Sequence, residues 1–111
     1  MAKQIANPRD LESSLLLKAA AKLQAIHDNW EAERGNLYDA LLYNRKLWIV
    51  FMTSATSKDN PLPAEIRQNI ANLGIFIMNQ TVAITEKPAP ERLKVLININ
   101  REIAAGLRSA A

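Results

Sequence analysis

One histidine, His27, stands beside Asp28 and shortly before Glu31 and Glu33, and this is where acid–base or metal chemistry would have to be sought. Such chemistry needs groups whose position and pKa are set by one another. Asp28 and Glu31 are three residues apart and can share a helix face, whereas Glu31 and Glu33 are two apart and point different ways. The chain holds no cysteine and no second histidine to complete a metal set. Ser13, Ser14, Ser54, Ser57 and Ser109 find no triad partner beyond His27, and Gly35, Gly74 and Gly106 are too scattered for a phosphate-cradling loop. The expectation is a protein that is not an enzyme and that takes neither cofactor nor metal.

The stretch at 44–63, NRKLWIVFMTSATSKDNPLP, suggests a different kind of site. Leu47 to Met52 form six consecutive apolar residues between a basic doublet and a polar tail with two prolines. A helix at the edge of a small protein needs one apolar stripe. A helix apolar on more than one side lies at the centre of a bundle or offers a second face to a partner. Both readings stay open at the level of sequence.

The elements that would position such a site all read as helices. Leu11, Leu15, Ala19, Leu23, Ile26 and Trp30 step by three or four residues, with Asn7 as N-cap, Pro8 at the first helical position and Gly35 as the stop. Leu37, Leu41, Trp48, Phe51 and Ala55 form a second stripe, with Asn36 placed to cap it. Ile66, Ile70, Leu73, Ile77 and Ile84 form a third, opened by Pro63. Leu93, Leu96, Ile97, Asn100, Ile103 and Leu107 form a fourth, opened by Pro90, with a polar residue inside it. The spacing predicts helices over about 8–34, 37–56, 63–85 and 90–108, joined by short loops. The expected fold is all-α, a single domain over 1–111 built as a small bundle of about four antiparallel helices. Ten asparagines, several of them inside these helices, face water, bond across the bundle or bond a partner.

Composition narrows the partners. A chain of 111 residues with 49% apolar content can form one core. The net charge of +3 is spread over fourteen basic and eleven acidic residues, with no concentrated basic face in the sequence. The longest apolar run is six residues, short of the roughly 20 that cross a bilayer. The N-terminus lacks the apolar core of a secretory signal. No membrane is therefore expected, and the absence of cysteine suits a cytoplasmic setting.

The ordered set Leu17-Lys18-Ala19-Ala20, Arg34-Gly35-Asn36-Leu37, Tyr43-Asn44-Arg45-Lys46-Leu47-Trp48, Asn60-Pro61-Leu62-Pro63 and Ile70-Ala71-Asn72-Leu73 resembles the FlaF family, flagellar biosynthesis regulators of alphaproteobacteria. The resemblance runs from about residue 8 to residue 105. It implies a cytoplasmic regulator of flagellum assembly that binds flagellin as a secretion chaperone and promotes its synthesis and export. It also implies a functional opposition to a second regulator, FlbT, which restrains translation of flagellin mRNA. On this reading an amphipathic end segment of flagellin lies in a groove between the second and third helices. Leu47, Trp48 and Phe51 with Ile70, Leu73 and Ile77 would then be the apolar anchors, Trp48 the strongest, and Arg45 the partner of an acidic residue. Trp30 is an alternative anchor, and bundle core is the competing role for every apolar member. Two other functions compete: an RNA-binding regulator of flagellin mRNA, and a helical oligomerisation module.

Overall fold

A computed structural model describes residues 8–109. Four long helices account for most of it: α1 (Pro8–Asp28), α3 (Leu37–Ala55), α4 (Ala64–Glu86) and α5 (Lys94–Ser109), with a single-turn α2 (Trp30–Glu33) between the first two. No strand occurs among the described residues. The fold is the all-α bundle that the periodicity predicts.

The first helix is shorter than its apolar spacing suggests. It ends at Asp28, Asn29 leaves helical geometry with φ −131° and ψ 53°, and the chain passes through α2 and a 3₁₀ turn, Arg34–Asn36, before α3 begins. His27, Asp28 and Asn29 are all poor helix formers, and Asn competes for the backbone with its own side chain. Gly35 is not the expected left-handed stop, since no described glycine has positive φ. Asn36 does not cap α3 through its side chain either; its Nδ2 donates to Glu33 Oε1 at 3.0 Å. The N-cap expected at Asn7 lies outside the described residues.

The two other connections are closed by side chains. Asn60 Nδ2 donates to the Ser54 carbonyl at 3.1 Å, its Oδ1 accepts the Leu62 amide at 2.9 Å, and Leu62 is buried as a plug under the loop. This is the local turn chemistry to which asparagine is suited. After α4, Arg92 Nη1 donates to the carbonyls of Ala83 and Lys87, both at 2.9 Å, and so satisfies the open end of that helix. Arg92→Ala is expected to lower the unfolding free energy by about 1–2 kcal/mol, read as a shift of the urea midpoint with unchanged slope.

The helices pair as α1 with α5 and α3 with α4, and α1 also packs on α3. Small residues let α1 and α5 approach closely: Ala19, Ala20 and Ala104 are fully buried, and Ser13 Oγ donates across to the Ala104 carbonyl at 2.9 Å. In the α3–α4 hairpin a Cβ on Gly74 would run into the Met52 side chain, so the glycine leaves room for that methionine between the two helices. α4 and α5 diverge, leaving a groove of about 430 Å³ lined by Ile66, Ile70, Leu73, Ile99, Ile103 and Leu107, among others.

Candidate functional site

The centre of the molecule is polar at one point. Trp48 is fully buried, and its Nε1 donates to Asn100 Oδ1 at 2.9 Å. Asn100 Nδ2 in turn donates to Asn44 Oδ1 at 2.7 Å, which ties α3 to α5 through three side chains without exposure to water. Phe51 meets the indole edge-on, with ring centroids 5.8 Å apart and planes at 70°. A polar residue was therefore required within the apolar stripe of α5, because an indole N–H buried without an acceptor is costly. Asn44 and Asn100 are the asparagines that bond across the bundle; Asn69, Asn72, Asn79 and Asn98 face solvent.

This arrangement corrects the expected anchor set. Trp48, Phe51, Ile70 and Ile77 are buried in the core and present nothing to a partner in this conformation. They fall on the side of their helices that faces α1 and α5, where burial of the stripe holds the bundle together. Leu47 and Leu73 are half-buried against the same core, and Leu73 also lines the α4–α5 groove. Trp30 is half-buried too, with the Arg34 guanidinium over its ring at 5.4 Å. Of the seven residues named from the sequence, only Arg45 is fully at the surface.

Tyr38, Ile49, Ile75 and Val82 are exposed apolar residues on the outer flank of the hairpin, while Leu11, Leu17, Val50 and Phe76 are exposed outside it. Tyr38, Leu42, Arg45 and Ile49 are spaced i, i+4, i+7, i+11 and form one stripe of α3. Ile75, Met78, Val82 and Thr85 are spaced i, i+3, i+7, i+10 and form the adjoining stripe of α4. Tyr38, Val82 and Ile75 are 65%, 59% and 56% exposed, and Ile49 is 41% exposed, so this strip is open rather than a seam of the core. Between the two stripes runs a depression of about 280 Å³ lined by Tyr38, Leu41, Leu42, Arg45, Val82 and Glu86, among others. The α4–α5 groove is larger, but its apolar floor already packs on the core. In the sequence Tyr38, Leu42 and Ile49 already read as the start of a second stripe, and Ile75, Phe76, Met78 and Val82 lie outside the stripe of the third helix; which stripe stays open requires knowing where α1 and α5 sit.

The carboxyl groups whose pKa is shifted lie elsewhere. His27 Nδ1 lies 3.0 Å from Asp28 Oδ1, and Gln24 Nε2 donates to the same oxygen at 2.8 Å. The hydrogen bond from His27, then that from Gln24, holds the Asp28 carboxyl below its usual range. Arg101 of α5 donates to Gln24 Oε1 at 3.1 Å, so this exposed cluster fastens the end of α1 to α5. Burial pushes the Glu12 carboxyl up, against the pull of the Arg9 guanidinium 3.0 Å away. Among the described residues no group of three or more His, Asp or Glu side chains is placed to hold a metal ion. No described helix is long and apolar enough to cross a membrane.

Comparison with known families decides the identity. The family described as flagellar protein FlaF matches residues 1–107. The chain belongs to the FlaF family. Searches of curated proteins and of solved structures give no match. The segments that resemble this family acquire structural roles here: Asn44 and Trp48 are members of the buried network, Asn60 and Leu62 close the α3–α4 loop, and Ile70 is core. As a FlaF protein the chain is a flagellar protein.

Proposed function

We propose that this FlaF protein is a non-enzymatic chaperone of the cytoplasm that binds flagellin and promotes its synthesis and export, acting against the FlbT regulator. The observation that supports this most is the open apolar strip of Tyr38, Leu42, Ile49, Ile75 and Val82 on a protein of a flagellar family. An exposed apolar strip on a small domain is characteristic of an interaction site. The end segments of unassembled flagellin are disordered and become amphipathic helices in the filament. A chaperone that covers the apolar face of such a segment prevents premature pairing and leaves the chain fit for export. The ordering cost of the segment keeps such binding reversible, as release at the export machinery requires.

Apolar docking depends weakly on salt, whereas binding to nucleic acid falls steeply with it. Co-purification of this protein with a flagellin of the same organism, at low and at high salt, is expected to give a stoichiometric complex that survives high salt. Absence of a complex under both conditions overturns the proposal. A complex with the flagellin mRNA leader that forms at low salt and dissolves at high salt would put the RNA-binding function in its place.

A further inference from the structure

The polar ties between the long helices are unevenly shared. Ser13 and Gln24 bond α1 to α5, through the Ala104 carbonyl at 2.9 Å and Arg101 at 3.1 Å. Trp48 and Asn44 bond α3 to Asn100 of α5. The ammonium groups of Lys18 and Lys22 lie 6.0 and 5.2 Å from the centroid of the Tyr43 ring, which links α1 to α3. α4 takes part in none of this. Among the described residues no side-chain hydrogen bond or ion pair joins it to α1, α3 or α5. Its polar ties are at its two ends. Arg67 donates to the carbonyls of Leu62 and Ser57 in the preceding loop, and Arg92 of the 3₁₀ turn Pro90–Leu93 holds the carbonyls of Ala83 and Lys87.

The apolar hold on α4 is thin as well. It is the longest helix, with 23 residues, yet its buried apolar side chains are Ile70, Ile77 and Ile84, one every seven residues. The other buried positions are Gly74 and Thr81, which offer little apolar area. α5 buries Leu96, Ile97, Ala104 and Leu107 from 16 residues. Towards α5 the groove of about 430 Å³ leaves the packing of α4 incomplete. Local propensity points the same way. Asn69, Asn72, Gly74 and Asn79 are poor helix formers. The hydroxyls of Thr81 and Thr85 donate to the carbonyls of Ile77 and Thr81 at 2.7 and 2.8 Å, a pattern that weakens and bends helices.

We infer that α4 opens as a unit of its own from a body formed by α1, α3 and α5, hinged on its two connecting loops. Local stability is lowest where buried apolar contact is thin and cross-links are few, and α4 combines both. The Trp48–Asn100–Asn44 network stays closed in this opening, because none of its members lies on α4. The opening uncovers the three isoleucines and the core surface beneath them. A ligand that needs those side chains reaches them through this minor state rather than through global unfolding.

Native-state hydrogen exchange of the wild-type protein, read by NMR at a series of sub-denaturing urea concentrations, tests this. Amides from Leu73 to Thr81 lie away from the fraying ends of α4. They are expected to exchange at least about 30-fold faster, after correction for intrinsic rates, than those of Leu16 to Leu23 in α1, Leu41 to Trp48 in α3 and Ile97 to Ala104 in α5. Their exchange should rise less steeply with urea at first, because the opening exposes less surface than global unfolding, and merge with the global slope at higher urea. Equal protection and one common slope in all four helices overturns the inference. Exchange of the α3 amides together with those of α4 would make the whole hairpin the moving unit and overturns it too, as does lower protection in α1 or α5 than in α4.

Discussion

Trp48→Ala is expected to lower the unfolding free energy by about 3–5 kcal/mol, the cost of removing a large aromatic side chain from a packed core. Two effects add at this position. The indole is the largest fully buried side chain, and its loss leaves a cavity between α3 and α5 and strips Phe51 of its edge-on neighbour. It also removes the donor on which Asn100 Oδ1 depends, in an interior where no water reaches that oxygen. The melting temperature should fall on the order of 15 °C or more for a domain of this size. Urea unfolding followed by circular dichroism measures the loss directly. The fraction that remains folded should bind flagellin as wild type does, since the docking strip lies on the outer flank. A variant that melts like wild type but no longer binds flagellin would make Trp48 an interface anchor and sink this assignment.

Asn100→Leu is the second large effect, expected at about 2–4 kcal/mol although the side chains are similar in volume. The substitution leaves the Trp48 Nε1–H without an acceptor and Asn44 Oδ1 without a donor, both fully buried. Asn44 Nδ2 has no hydrogen-bond partner even in the intact network, so Asn44 then becomes an amide with nothing to bond. The physics of half-satisfied networks gives a sharper consequence. Replacing both partners by apolar groups costs less than removing one. Asn44→Leu introduced into Asn100→Leu should therefore recover part of the lost stability, whereas the same change in wild type should destabilise. A double-mutant cycle with a coupling of about 1 kcal/mol or more checks this, and simple additivity would refute the network.

These two results would separate the inside of the molecule from its working surface. The buried network joins α3 to α5 from within, while the flank that we assign to flagellin uses the opposite edge of α3 and the outer stripe of α4. Substitutions at Trp48 or Asn100 act through the folded population. On the proposed function, substitutions at Val82 or Ile75 are expected to act on flagellin binding in a protein of nearly unchanged stability.

The helices themselves were legible in the residues. Apolar spacing located α3, α4 and α5, Pro63 marked the start of α4, and the order of short motifs resembled the family that the chain proves to join; Pro90 opens a 3₁₀ turn, Pro90–Leu93, and α5 itself begins only at Lys94. Asn29 was missed because a break of one residue does not interrupt an apolar stripe that continues to Trp30. The anchors were misplaced for a related reason. Along α3 the sequence shows two apolar stripes and gives no sign of which one faces the bundle. Trp48 and Phe51 invite selection as binding residues because large aromatic side chains dominate both cores and interfaces. Arg92 reads as one more surface cation, yet it holds the end of α4, and that role depends on a turn bringing it back to Ala83.

Sequence by itself determined the secondary structure, the family and the absence of a cysteine- or histidine-rich chemistry, because each of these rests on residue type and on periods of a few residues. Tertiary structure alone decided which stripe became core and which stayed open. That choice depends on α1 and α5 covering one side of α3, which Ala19, Ala20 and Ala104 permit by their size and Asn100 enforces by meeting Trp48. A burial pattern is a property of the partners a helix acquires, and those partners lie tens of residues away in the chain.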